Sequence, residues 1–164
     1  MQGEFPGFYV RSREKSHCPW CEGDFKVIGS RKRKLDKLDG SVNWLIIRRL
    51  KCMDCGKISH ELPDLVVPYK RHEADTISRA LVEPASVLQD CCCCEASTIR
   101  RLKIWFFLLR DYLESTVWAL MELMHGNAFV KLPLYPLQRQ TDGWLKVLVR
   151  NLVNSGRWRQ TRSA

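Results

Sequence analysis

Cysteines stand at 18 and 21 and again at 52 and 55, in two CxxC pairs, Cys18-Pro-Trp-Cys21 and Cys52-Met-Asp-Cys55. A CxxC turn brings both of its sulfurs toward one point and faces backbone amides toward the thiolates. Two such turns supply four soft donors to one ion, a set that suits tetrahedral Zn2+. Four protein ligands leave no position for water, so the zinc expected here is structural and not catalytic. Gly56 follows the second pair and supports a tight turn, whereas the first pair carries Glu22 before Gly23, a small departure. His17 and His60 flank the pairs and are expected beside the thiolates or in solvent, because four sulfurs already fill the site. A redox reading of either pair would need a βαβ context, and the flanking residues have the pattern of a hairpin instead.

That hairpin must bridge the long interval between Cys21 and Cys52. FKVIGSRKR and SVNWLIIRRLK are rich in β-branched and aromatic residues and read as its two strands. Asp39-Gly40 between them is a turn signal, since glycine takes positive φ without steric cost. Residues 1–62 therefore read as a zinc ribbon. Residues 63–72, PDLVVPYKRH, are expected to be an extended connector, because the residues preceding Pro63 and Pro68 disfavour helix. Residues 73–126 read as a short helix over Glu73–Leu81, a second beginning near Pro84, and a long helix from about Ser97 to His125. Residues 127–164 carry a last helix over about Asp142–Asn154 and a basic tail. The fold class is α+β, a small zinc-ribbon hairpin domain followed by a helix-turn-helix-like domain.

Two basic groups stand out. Arg31, Lys32, Arg33 and Lys34 are placed at the hairpin tip, and the returning strand adds Arg48 and Arg49. Such a hairpin can lay cations along phosphates, with counterion release supplying affinity; the plain alternative is a solvated positive face. In the long helix Ile99, Leu102 and Phe106 form an apolar stripe, which leaves Ser97, Thr98, Arg100, Arg101 and Lys103 outward. A helix-turn-helix offers such residues to base edges and phosphates; the alternative is an ordinary bundle. Leu109, Leu113, Leu120 and Leu123 continue the stripe, which either joins two copies of the chain or packs the C-terminal helix. The run Cys91–Cys94 cannot readily wrap one ion and is expected to be buried, reduced thiols, with a redox-sensitive cluster as the alternative.

The 164 residues carry 27 Lys+Arg against 18 Asp+Glu, a net charge of +9, and are 45% hydrophobic. A core can form, and a polyanion is the expected partner, nucleic acid ahead of an acidic membrane surface. The apolar stretch from Ile104 to Met124 contains Arg110, Asp111, Glu114 and Glu122, which excludes a bilayer span. The N-terminal residues lack the apolar core of a secretion signal, so a cytoplasmic, nucleoid-associated protein is expected. No Ser/His/Asp arrangement, Walker loop or HExxH is present, and the acids of the second half sit on helical faces. No catalytic activity is expected.

The run CPWC…SRKRK…IIRRLKCMDCG…HELPDLVVPYKRH…STIRRLKIWF resembles the N-terminal zinc-ribbon and helix-turn-helix region of bacterial insertion-sequence transposases. It is closer still to a stand-alone bacterial family of unknown function associated with mobile elements. The resemblance implies DNA binding, as a transposition accessory factor or a transcriptional regulator, with a recombinase or transposase as a protein partner. An adaptor docking on a recombinase or RNA polymerase, and a degenerate or split transposase subunit, are the rival expectations. RNA is an alternative ligand to DNA.

Overall fold

The computed structural model describes residues 7–13, 15–84, 87, 94–126 and 142–158. A four-stranded sheet precedes three helices among these residues, so the class is α+β. The strands are β1 (Gly7–Tyr9), β2 (Phe25–Asp36), β3 (Val42–Cys52) and β4 (Ile58–His60). The helices are α1 (Ala74–Val82), α2 (Ala96–His125) and α3 (Trp144–Asn154). Residues 85–93 apart from Val87 lie outside the described set, and so do the helix expected to begin near Pro84 and Cys91 to Cys93.

β3 is central. It pairs antiparallel with β2 along its whole length, from Phe25↔Cys52 to Asp36↔Val42. On its other edge it pairs in parallel with β1 at Trp44–Ile46 and antiparallel with β4 at Arg49–Lys51. The register of β2 shifts between Val27 and Gly29, and Gly29 has φ +148. This bulge leaves Ile28 as the extra residue and exchanges the two faces of β2 between the cysteine end and the turn end. At the turn end Arg31, Arg33 and Leu35 therefore share a face with Ile47, Leu45 and Asn43 opposite them.

The structure corrects the placement of the basic run. β2 continues to Asp36 because Leu35 is fully buried, and the tip is the turn from Lys37 to Ser41, where Gly40 has φ 78. Arg31 to Lys34 lie along the strand with alternating faces instead of at the tip.

The connector is not extended either. Val66 N–H donates to the Pro63 carbonyl (2.9 Å) and Lys70 N–H to that of Val67 (3.1 Å), two tight turns that follow the two prolines. Between these turns the chain bridges two cores. Val66 packs with Leu35, Leu45 and Ile47 on the sheet, whereas Val67 belongs to the helical core of α1, α2 and α3. Both valines are essentially inaccessible to solvent. In the helical core Ile99, Leu102, Phe106, Leu109 and Leu113 recur every three or four residues along α2, as an amphipathic helix requires. They meet Ile77 and Ala80 of α1 and Leu145, Leu148 and Leu152 of α3, with Phe106 edge-on to Trp144 at 5.6 Å. The stripe is thus covered within the chain over this length. Ile104, Phe107 and Leu108 lie on the exposed side.

Glu61 is buried beside β4 and accepts from both Nε and Nη2 of Arg48, the latter at 2.7 Å, and from the Ser12 amide at 2.8 Å. The Arg48 hydrogen bonds, opposed by burial and helped by the Ser12 amide, hold its carboxyl below the usual 4.5. A lowered folded-state pKa gives stability that is present above the unfolded value and lost as pH falls through the folded one. Acid unfolding curves should therefore show stability declining below about pH 4.5. Arg48→Met should cost about 2–3 kcal/mol at neutral pH and flatten that acid limb, because the unpaired carboxyl then protonates more readily. An unchanged limb would exclude this pair as its cause.

Candidate metal centre and basic surface

The pairing Phe25↔Cys52 sets the end of β3 beside the start of β2, directly below the two CxxC turns. Met53 N–H donates to the Asp24 carbonyl at 3.0 Å and fastens the second turn to the residue that precedes β2. Within the turns Cys18 N–H donates to Gly23 O (2.9 Å), Glu22 N–H to Cys18 O (2.8 Å) and Cys52 N–H to Lys57 O (2.9 Å). The four sulfurs all lie within 4.8 Å of one another. Cys18 and Cys55 are 3.6 Å apart and Cys21 and Cys52 3.4 Å. A disulfide needs about 2.05 Å. A tetrahedron with metal–sulfur bonds of about 2.3 Å needs about 3.8 Å between sulfurs, so the arrangement fits four thiolates around one ion.

The acid–base chemistry points the same way. The Gly23 amide pulls the Cys21 thiol down, but crowding by Cys52, burial and the other two sulfurs outweigh it and push it up to about 12. The Cys55 amide, opposed by burial and helped by the Asp54 amide, brings Cys52 down to about 7. Thiolates are the metal-binding form of cysteine, so occupation of such a site by a divalent cation would release protons. His17 lies 3.6 Å from Asp24 and His60 sits on β4, so neither belongs to the cluster.

Glu22 and Gly56 occupy the same place in their two turns, four residues after the first cysteine. Both are left-handed, at φ 61 and φ 70. The departure noticed in the sequence is thus a glutamate held where glycine is preferred.

The basic residues are used unequally. Arg33 is half-buried, and its Nη2 donates to the carbonyls of Val67 (3.1 Å) and Lys70 (2.7 Å), which clamps the connector to β2. Arg48 is held by Glu61, and Lys34 pairs with Asp36 at 3.0 Å. Arg31 and Lys32 are exposed on β2, and Arg49 is half-buried on β3. On α2 Ser97, Arg100 and Arg101 are exposed and Thr98 is half-buried. Arg101 reaches back to Ser97 (3.3 Å), and Lys103 Nζ donates to the Glu83 carbonyl at the end of α1 (3.0 Å). On α3 Lys146 is matched by Asp75 and Arg150 by Asp64. Sequence patterning could not separate these roles, because a structural arginine and a solvated one look alike in a basic run.

Cys94 is buried, with its sulfur 3.6 Å from His72 Nδ1. Burial holds His72 below the usual imidazole range.

A model described as a domain of unknown function, DUF6431, matches residues 18–102, more than half of the chain. The chain belongs to the DUF6431 family. The matched region begins at the first cysteine of the cluster and ends within α2, so it contains all four sulfurs, the hairpin and the connector. No curated protein and no solved structure matches the chain. No helix among the described residues is long and apolar enough to cross a membrane.

The left-handed backbone at Glu22 predicts the sign of a substitution. A side chain in that region costs about 1–2 kcal/mol, partly offset by the greater freedom glycine has when unfolded. Glu22→Gly should raise the unfolding free energy of the metal-loaded protein, measured in urea, by about 0.5–1 kcal/mol, and Gly56→Ala should lower it by about 1 kcal/mol. Loss of stability in Glu22→Gly would show that the glutamate side chain does work the backbone does not.

Proposed function

We propose that this DUF6431 protein is a zinc-stabilised DNA-binding protein of a mobile element, acting as a transposition accessory factor or a transcriptional regulator. The observation that carries the reading is that Arg31 and Lys32 stand exposed on a strand whose far end is tied down by the four cysteines. Zn2+ is the ion that the all-sulfur tetrahedral set favours, and with four ligands its part is to hold the hairpin. Phosphates then meet cations on a strand that does not have to be ordered at the moment of binding. The exposed first turn of α2, with Ser97, Arg100 and Arg101, supplies the base-reading element in this proposal. The mobile-element part rests on the likeness of CPWC…STIRRLKIWF to insertion-sequence transposases. The reading assigns no reaction to the chain.

A second reading draws on Ile104, Phe107 and Leu108, which stand exposed in adjacent turns of α2. They suit an adaptor that docks on a recombinase or RNA polymerase, and its mark is weak DNA affinity with stable binding to a protein partner.

The deciding experiment is a salt titration of the zinc-loaded protein against random duplex and against duplex from its own genomic neighbourhood. If four phosphates are neutralised, affinity should fall about 100-fold between about 50 and 200 mM salt. Arg100→Ala with Arg101→Ala should weaken binding to the native duplex more than to the random one. Chelating the metal should abolish both, since the hairpin loses its anchor. Equal, weak binding to both duplexes would overturn base reading and favour the adaptor.

A further inference from the structure

The turn-end face of β2 does not look onto open solvent. Across from it stand the 68–71 turn, the first CxxC turn and the segment that follows α3, and between them is a cleft of about 1020 Å3. That is at the upper end of small-ligand pockets, which run to about 1,000 Å3. Arg31, Lys70, Arg71 and His60 line it, and among the described lining residues there is no carboxylate. His60 is kept below the usual imidazole range by burial first and then by the charges of Arg31, Arg49 and Arg33, which reports the positive field on this face.

Three aromatic rings share the cleft with these cations: Trp20 from the first CxxC turn, Tyr69 from the connector and Trp158 from beyond α3. Each is fixed by a different contact. Trp20 lies under Lys57, whose Nζ is 4.6 Å from the ring centroid. Trp158 follows a segment held at both sides, with Tyr112 Oη donating to the Arg157 carbonyl at 2.6 Å and Gly156 so near Pro19 that a Cβ would lie 3.1 Å from the proline ring. Tyr69 is 61% exposed and has φ 64, a conformation a bulky residue rarely takes. The Arg33 clamp on the carbonyls at either side of it, Val67 and Lys70, maintains that conformation. A large ring is thus held in water, at a backbone cost, on the rim of a cationic cleft.

Cations alone would suit any polyanion. Cations interleaved with rings, Tyr69 and Trp20 exposed and Trp158 half-buried against the helical core, match a chain that offers both phosphates and flat, unpaired π faces. A duplex keeps its base faces stacked inside and offers this cleft only phosphate and groove edges. We propose that the cleft is a binding site for single-stranded nucleic acid, with bases stacked on Tyr69, Trp20 and Trp158 and phosphates on Arg31 and Arg71. The site deepens the nucleic-acid reading above and is separate from the base-reading residues assigned to α2.

The test uses the zinc-loaded full chain, with a labelled oligothymidylate of about 10 nucleotides and a random duplex of matched length, read by fluorescence anisotropy. Tyr69→Gly removes the ring without leaving a side chain in the left-handed region. Arg71→Ala removes an exposed cation whose backbone carbonyl, bonded to the Asp36 amide, stays in place. Each should weaken binding to the strand about tenfold and change duplex binding by less than about twofold. Arg100→Ala with Arg101→Ala should weaken duplex binding more than strand binding. Strand binding unmoved by Tyr69→Gly, or strand and duplex affinity lost in parallel, would overturn the cleft. Strand binding that persists where no duplex binding is found would sink the duplex reading and leave the cleft standing. Duplex binding with no affinity for the strand would do the reverse.

Discussion

The register of the β2–β3 ladder is the constraint on which the rest of this molecule depends. Two cysteine pairs far apart in the chain can share an ion only if Cys52 returns opposite Phe25, and the ladder brings it there. A slip of one residue would turn each side chain of a strand to the other face. Leu35 of β2 would then part from Leu45 and Ile47 of β3, and the sulfurs would no longer converge. The bulge at Ile28 lets one strand satisfy two demands. It faces the cysteine end one way for the knuckles and the turn end the other way for the core and the cleft.

The sheet and the helices are held together by very little chain. Val66 and Val67 are adjacent and point into different cores, and Arg33 from β2 caps the carbonyls around them. The connector therefore transmits position between the ribbon and the helices. The segment after α3 closes a second link, with Gly156 against Pro19 of the first knuckle. The surface ion pairs Lys146–Asp75 and Arg150–Asp64 accompany this packing, and exposed pairs of that kind contribute about 0–1 kcal/mol each.

This architecture sorts the cations into two kinds. Arg33, Arg48 and Lys103 spend their donors on carbonyls or on a buried carboxylate. Arg31, Arg71, Arg100 and Arg101 stand at the surface. The strongly basic balance of the chain is thus partly a structural resource and partly an external field, and only the second part is available to a polyanion.

Much of this could be read directly from residue spacing. The paired CxxC motifs named the ligand set, β-branched enrichment with Asp39-Gly40 named the hairpin, and the three-four recurrence from Ile99 named α2. These are local patterns, set by backbone periodicity within a few residues. The three-residue strands β1 and β4 escaped notice because they exist only as partners of β3 and have no pattern of their own. The prolines of the connector suggested extension, but burying Val66 and Val67 in separate cores favoured turns. The placement of Arg31 to Lys34 depended on whether Leu35 found a core, which no short window reveals. The sequence by itself determined which four cysteines could hold a metal, that a hairpin joins the two pairs, and that a long helix follows Ser97. Only the tertiary structure decided which face of β2 meets the cleft, which arginines are spent, and that Trp20, Tyr69 and Trp158 line one cleft. Those outcomes depend on contacts between residues distant in the chain, and a periodicity reports that a face is apolar without naming what covers it.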